Sequence, residues 1–363
     1  DVPSRIFQND RLVHFPLSPV DLLRKIGAVS FVRAAGQVGW ARIWERGIPE
    51  NFEEFALRTY GREIASRFLL NYSEKLWGVP CDRLAVAISG QRMRQLTLWT
   101  FLMETVLSRF VEQKHFEGAF YYPDTGIGAI MEALADGCGR ENIRLSSEVT
   151  RIVHNDERIN AIGINGSQEM PVDAVISTLP LTDLLARLEP LPPREILDEA
   201  GRLRYRSLLV VMLMLDTPFV LQNVATVYFP GREFPFTRIS EPKNRSNLMA
   251  PPHQTSLMAE IPCQPGDDIH RLPDAELAQL VASHLVRAGL IKNGMVIDQF
   301  VVRMENAYPI LETGSEASAR ALRAWLSRLS NLRLAGRTAE FKYTWIHDAM
   351  ESANLAVEAL CGS

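Results

Sequence analysis

Leu332-Arg333-Leu334-Ala335-Gly336-Arg337, continued by Phe341-Lys342-Tyr343 and Trp345-Ile346-His347-Asp348-Ala349-Met350, is the stretch that decides the fold. Leu332–Ala335 reads as a short apolar strand, Gly336-Arg337 turns the chain, and a helix starts near His347-Asp348. Ala353, Ala356, Val357 and Leu360 are expected on the buried face of that helix. A strand ending in Gly-Arg puts a guanidinium at the carboxyl edge of a sheet, where ligands of open α/β sheets collect. Arg's planar fork suits a pyrophosphate; an ordinary strand-end salt bridge is the plain alternative. The helix start adds free N–H groups and a positive dipole end, although Asp348 or His347 also reads simply as its N-cap.

Upstream of this stretch, Ala319–Leu329 reads as a helix. Before it come the longer strands Leu208–Leu215, Thr226–Phe229, Ser256–Ile261 and Val296–Met304. Between the last two lies a helix capped by Asp274, with Leu277, Leu280, Val281, Leu285 and Ala288 as its apolar stripe. His284 on that stripe reads as a satisfied core histidine. Shorter strands are expected at Ile143–Leu145, Val149–His154, Ile159–Ile164 and Val172–Thr178. Their turns are marked by Asn155-Asp156 and Asn165-Gly166. Residues 1–120 read mostly as helices: Ser18-Pro19 starts one, Asn51 with Glu54 caps another, and Ile64, Phe68 and Leu69 share a face that ends near Asn71-Tyr72. Met93–Val111 is again apolar at helical spacing.

Composition excludes several classes. The 363 residues carry 39 basic and 43 acidic side chains, a formal charge of −4, so no basic excess points to nucleic acid or an anionic membrane surface. The length suits about two domains. The apolar stretch Leu208–Leu215 is too short to span a bilayer. Cys81, Cys138, Cys263 and Cys361 stand far apart, with no metal-ligand spacing, and suit reduced cytoplasmic thiols. There is no GxSxG, HExxH or GxxxxGK[ST] motif. Gly126-Ile127-Gly128-Ala129-Ile130-Met131 follows Pro123-Asp124-Thr125 rather than a strand, and Met131 fills the third small position. It reads as a helix start, not as a dinucleotide fingerprint.

Three blocks together resemble a known superfamily. They are Asn71-Tyr72-Ser73-Glu74-Lys75-Leu76-Trp77-Gly78-Val79-Pro80 with Gln91-Arg92-Met93-Arg94; Tyr121-Tyr122-Pro123 through Gly126-Ile127-Gly128 to Val149 and Asp173–Pro180; and the Gly336-Arg337 block. The set is similar to the FAD-dependent amine oxidase superfamily, in its protoporphyrinogen-oxidase-like and UDP-galactopyranose-mutase-like branches. The resemblance implies an α/β fold in which a Rossmann-like FAD domain interleaves with an α+β substrate domain of mixed sheet and helical block. Residues 1–120 are then the helical part of the substrate domain and 181–310 its sheet. Residues 121–180 and 311–363 are the FAD-domain segments.

The same resemblance implies roles. Val149 would contact the adenine side of FAD through its backbone, and Gly336 and Arg337 would lie near the pyrophosphate. The helix beginning at His347, Asp348, Ala349 and Met350 would point at the flavin ring and stabilise its reduced, anionic form. Trp77, Arg92, Arg94 and Tyr308 would line the substrate cleft, with an aromatic face for a ring and Arg for a phosphate. Trp77 reads equally as a helix-end packing residue.

Two departures stand out. This chain has His347 then Asp348 where many relatives have Asp then His or Gln, which favours backbone over side-chain contacts there. It also opens at Asp1 without the strand, GxGxxG turn and helix of roughly 30 residues with which these families begin. A truncated copy is therefore expected, with weak or no FAD binding and partial unfolding or aggregation. The function implied is an FAD-dependent oxidoreductase acting on a small-molecule substrate by hydride removal from a C–N or C–C bond. One alternative is a mutase acting on a nucleotide sugar without net redox change; another is a non-catalytic remnant or scaffold.

Overall fold

The computed structural model describes residues 3–8, 11–15, 33, 36, 40, 47–89 and 121–362. Arg92, Arg94 and the expected helices at Ser18-Pro19 and Met93–Val111 lie outside the described residues. In chain order the strands are β1 (Ser4–Gln8), β2 (Arg11–Phe15), β3 (Val149–His154), β4 (Ile159–Ile164), β5 (Gln168–Pro171), β6 (Val175–Ser177), β7 (Leu188–Glu189), β8 (Tyr205–Leu215), β9 (Thr226–Tyr228), β10 (Arg238–Ser240), β11 (Thr255–Cys263), β12 (Val296–Pro309) and β13 (Leu332–Leu334). The principal helices are α1 (Phe52–Tyr60), α2 (Asn71–Trp77), α3 (Gly128–Cys138), α4 (Leu181–Ala186), α5 (Arg194–Ala200), α6 (Asp274–Arg287), α7 (Ser315–Leu326) and α8 (Ile346–Cys361). The chain folds as two compact units, Asp1–Cys138 with Ser207–Glu305 and Gly139–Arg206 with Asn306–Ser363.

The first unit is built on a seven-stranded sheet of order β12-β8-β11-β10-β9-β1-β2. Strands β8 and β11 pair antiparallel with Leu213 opposite Leu257 and Val211 opposite Ala259, which puts these side chains on one face. Helix α6 covers that face with Leu277, Ala278, Val281 and Leu285, all fully buried. Its stripe is as expected except that Leu280 and Ala288 are only half-buried. Asp274 is the first helical residue rather than the cap, and its carboxylate meets Arg303 at 2.6 Å.

Phe229 is the centre of an aromatic cluster, with ring centroids 4.8 Å from Phe236, 4.9 Å from Phe234 and 5.1 Å from Phe7. Burying each such ring stabilises by about 1.5–3 kcal/mol. Phe7 arrives through a correction to the helical reading of the N-terminal block. Ser4–Gln8 and Arg11–Phe15 pair antiparallel, and β1 pairs parallel with β9, Ile6 lying opposite Tyr228. A pairing over such a sequence distance leaves no local periodicity to read.

Asn51 caps α1 as expected, its Oδ1 accepting the Glu54 N–H at 2.9 Å. The next helical run does not stop near Asn71-Tyr72. It passes through a wide turn at Ala65–Leu70 into α2 and ends at Gly78, whose φ of 71° gives the left-handed stop that glycine supplies.

The second unit holds a four-stranded sheet, β5-β4-β3-β7, and a two-stranded parallel pair, β13-β6. Strands β3 and β4 have the expected bounds, and Asn165 (φ 52°) and Gly166 (φ 73°) make the tight turn after β4. Ile143–Leu145 is not a strand, and Leu145 is 83% exposed there. The buried Asn331 carboxamide ties the pieces together: its Oδ1 accepts the Ile159 N–H, and its Nδ2 donates to the carbonyls of Ile159 and Asp173, each at 2.8 Å. Helix α8 follows β13 as expected but buries only Ala356; Val357 is exposed.

Candidate functional site

The Gly-Arg turn leaves β13 at Gly336, whose φ is 87°. A Cβ there would have open space, so it is the left-handed backbone and not crowding that calls for glycine. The turn delivers Arg337 into an aromatic setting. Its Cζ lies 5.1 Å from the ring centroid of Tyr308 and 5.4 Å from that of Tyr343. Tyr343 in turn meets Trp345 at 6.3 Å. Nε and Nη2 of Arg337 both donate to the Thr344 carbonyl, using two of the five guanidinium donors.

Helix α8 begins immediately afterwards. Trp345, in extended conformation, is the N-cap. Asp348 at the third helical position reaches back and accepts the Trp345 N–H at 2.7 Å, which is half of a capping box. Neither His347 nor Asp348 is therefore the N-cap. His347 Nε2 stands 3.3 Å from the Asp348 carboxylate and is largely exposed. Beside this helix start the Thr344 hydroxyl is buried and has no hydrogen-bond partner among the described residues. Such a group is unfavourable unless something satisfies it. A guanidinium with unused donors, an orphaned hydroxyl and the first N–H groups of a 16-residue helix are together suited to an anionic, electron-rich ligand.

The structure thus brings Tyr308, Gly336, Arg337 and the residues from His347 to Met350 into one neighbourhood of the second unit. Val149 lies in the same unit at the start of β3, half-buried and paired with Ile164. Trp77 closes α2 in the first unit and is 5% exposed, enclosed as a packing residue is. Tyr343, quoted only as part of a motif, and Thr344, which the sequence reading did not single out, turn out to touch Arg337. The aromatic spacing on either side of Thr344 was the available signal.

A further arrangement in the first unit was not foreseen. Lys75 on α2 donates to three carbonyls, those of Phe229, Gly231 and Phe236, each at 2.7 Å. Burial pulls this ammonium down to about 7, against a weaker opposing effect of Glu233. Three acceptors match the three donors of the charged form, so Lys75 pins the segment 229–236 to α2. No group of three or more His, Cys, Asp or Glu side chains among the described residues is placed to hold a metal ion.

Comparison with known proteins gives a consistent picture. The family model described as flavin containing amine oxidoreductase matches residues 48–361. Among solved structures the chain is similar to a reduced UDP-galactopyranose mutase, at 20% identity and a TM-score of 0.81, covering 100% of this chain and 77% of that one. It is also similar to a cyclohexylamine oxidase from Brevibacterium oxydans IH-35A, at 14% identity and a TM-score of 0.59, over 100% and 80%. A putrescine oxidase variant matches at 13% identity with a TM-score of 0.62, over 100% and 82%. At these identities the structural likeness establishes the fold, a mixed α/β architecture of the flavoprotein oxidase type.

Proposed function

Because this chain belongs to the flavin-containing amine oxidoreductase family, we propose that it uses FAD to oxidise a small-molecule substrate. The observation that carries this is Arg337, set by the Gly336 turn, flanked by Tyr308 and Tyr343, and lying beside the buried Thr344 hydroxyl, which has no hydrogen-bond partner among the described residues, at the start of α8. The flavin, when bound, would supply the redox chemistry: it would take a hydride from a C–H bond while the neighbouring nitrogen or carbon loses a proton, so that a C–N or C–C single bond becomes double, and pass the electrons to oxygen or another acceptor.

The chain's own residues bind and orient. In this reading segments 121–180 and 311–363 hold FAD, with the Val149 backbone on the adenine side and Gly336 and Arg337 near the phosphates. The α8 start, from His347 to Met350, lends its positive end to negative charge on the ring. Arg337 contributes donors and Tyr308 and Tyr343 aromatic faces, so their part in this reading is to stabilise negative charge. Tyr308 in the second unit remains a candidate substrate contact in this reading, as do Arg92 and Arg94 outside the described residues, whereas the enclosed Trp77 serves packing. A cytoplasmic location is part of this reading on cysteine spacing alone: Cys81, Cys138, Cys263 and Cys361 stand far apart in sequence, as suits reduced thiols. No helix among the described residues is long and apolar enough to cross a membrane.

A second reading, a nucleotide-sugar mutase, is favoured by the same Tyr308–Arg337–Tyr343 grouping, since aromatic faces around a guanidinium also suit a sugar diphosphate. Titrating the chain with FAD and following the quenching of flavin fluorescence tests the main proposal. Saturable binding is expected, weakened about tenfold by Arg337→Met, the loss of one charge-assisted contact. Equal binding by both proteins, or no saturable binding, would overturn it. A parallel titration with UDP-galactose separates the readings: no affinity removes the mutase.

A further inference from the structure

We infer that Ser352 and Glu340, with Tyr205 at the far end of the turn, are positioning residues that lock the Gly336–Arg337 turn to helix α8. This rests on the flavin reading above and adds to it how Arg337 is held. Ser352 lies inside α8, where a serine hydroxyl usually bonds back to its own helix or faces solvent. Here it does neither. It accepts the Gly336 N–H at 3.2 Å and donates to Glu340 Oε2 at 2.7 Å. The Glu340 N–H donates to the Gly336 carbonyl at 3.0 Å, which closes a ring of three residues around the turn. Glu340 is itself held on two sides, its carbonyl accepting Arg323 Nη1 at 2.7 Å and its Oε1 standing 3.0 Å from Lys342 Nζ.

The other end of the turn is fixed at Thr338. Its carbonyl accepts both the Leu181 N–H at 3.2 Å and the Tyr205 hydroxyl at 2.9 Å, while its own hydroxyl donates to Thr178 O. Burial pushes the Tyr205 hydroxyl well up, so it remains a donor. Tyr205 also packs edge-on against the buried Phe341, with centroids 5.2 Å apart. Arg337 stands between these two anchors. Its backbone is fixed to α8 on one side and to α4 and β8 on the other, so the guanidinium and the helix start keep one geometry toward an anion. Serine is a poorer helix former than alanine, so Ser352→Ala should leave the helix itself no weaker while freeing the turn. That opposition separates a positioning role from a merely structural one.

The test compares Ser352→Ala, Ser352→Thr and Glu340→Ala with the unaltered chain, titrated with FAD and with riboflavin, which lacks the phosphates. Ser352→Ala and Glu340→Ala should each weaken FAD about tenfold, the scale of one lost network, and leave riboflavin affinity unchanged. Combining them should add little, since both open one ring. Ser352→Thr, which keeps the hydroxyl, should retain affinity. Hydrogen exchange at Gly336 should quicken in Ser352→Ala while β3 is unchanged, a readout that needs no ligand. An unaltered FAD-to-riboflavin ratio in Ser352→Ala, with the parent chain binding FAD normally, overturns the positioning role alone. A parent chain that binds no FAD overturns the flavin reading and the role together.

Discussion

Helices α6 and α8 are close in length, 14 and 16 residues, yet they live in different surroundings. Helix α6 lies on one face of a seven-stranded sheet and sinks four side chains completely. Helix α8 follows a two-stranded parallel pair and sinks one, leaving Met350, Leu355 and Val357 at 44%, 58% and 48% exposure. Ile176 of β6, in the same unit, is also exposed. Parallel strands are normally covered on both faces, and two strands offer little surface to cover anything. The difference teaches where each helix gets its definition. Helix α6 is held by burial along its length, whereas α8 is held by hydrogen bonds, from Asp348 on the Trp345 N–H, from Ser352 on the Gly336 turn and from Arg333 on the Ala359 carbonyl. A well-packed region carries stability; a lightly packed one carries the turn proposed to bind.

The sharpest way to break this comparison is to shorten a side chain in each region and measure urea unfolding. Leu213→Ala, at a residue only 1% exposed, should cost about 3 kcal/mol through lost burial and a cavity. Leu355→Ala on α8 should change stability by no more than about 0.5 kcal/mol. Similar losses at both positions would contradict the contrast.

Next in size is a pH response belonging to the first unit. Lys75 is held near 7 in the folded chain against an ordinary value of 10.5. Between those values the unfolded chain binds one more proton than the folded one, so stability should rise with pH across that window. It should be lost as pH falls through about 7, where the ammonium must be buried charged. Lys75→Met should flatten the rise of the urea midpoint between pH 7 and 10; an unchanged slope would show that Lys75 does not cause it.

The smallest effect is expected at the α8 start. Asp348→Ala removes the acceptor for the Trp345 N–H and should cost about 1 kcal/mol. Faster hydrogen exchange in the first turn of α8, with β8 and β11 unaffected, is the signature. Quicker exchange across both units would mean the helix start is coupled to the main core.

Much of this architecture was legible in the chain itself. Strands β3 and β4 announce themselves by apolar runs ended by Asn-Asp and Asn-Gly, α6 by its 3.6-residue stripe, and the strand-turn-helix at the C-terminal end by Gly336. What stayed hidden depends on distant partners. The β1–β2 pair is fixed by β9, which lies far along the chain, and α2 runs on to Trp77 because Gly78, not Asn71, stops it. The exposure of Val357 follows from how little β6 and β13 can cover, which no periodicity reports. The site divides the same way. Gly336 and Arg337 could be named from local chemistry, whereas the bonds of Tyr205, Ser352 and Lys75 link segments that only the fold brings together.

The central claim is that this chain's Arg337 neighbourhood serves a flavin nucleotide. Equilibrium dialysis against FAD, read by visible absorption, tests it most directly and registers weak binding as well as tight. The expected result is excess flavin on the protein side, with an absorption band altered from that of free FAD and the excess reduced in Arg337→Met. Equal flavin on both sides with an unaltered spectrum would contradict the account.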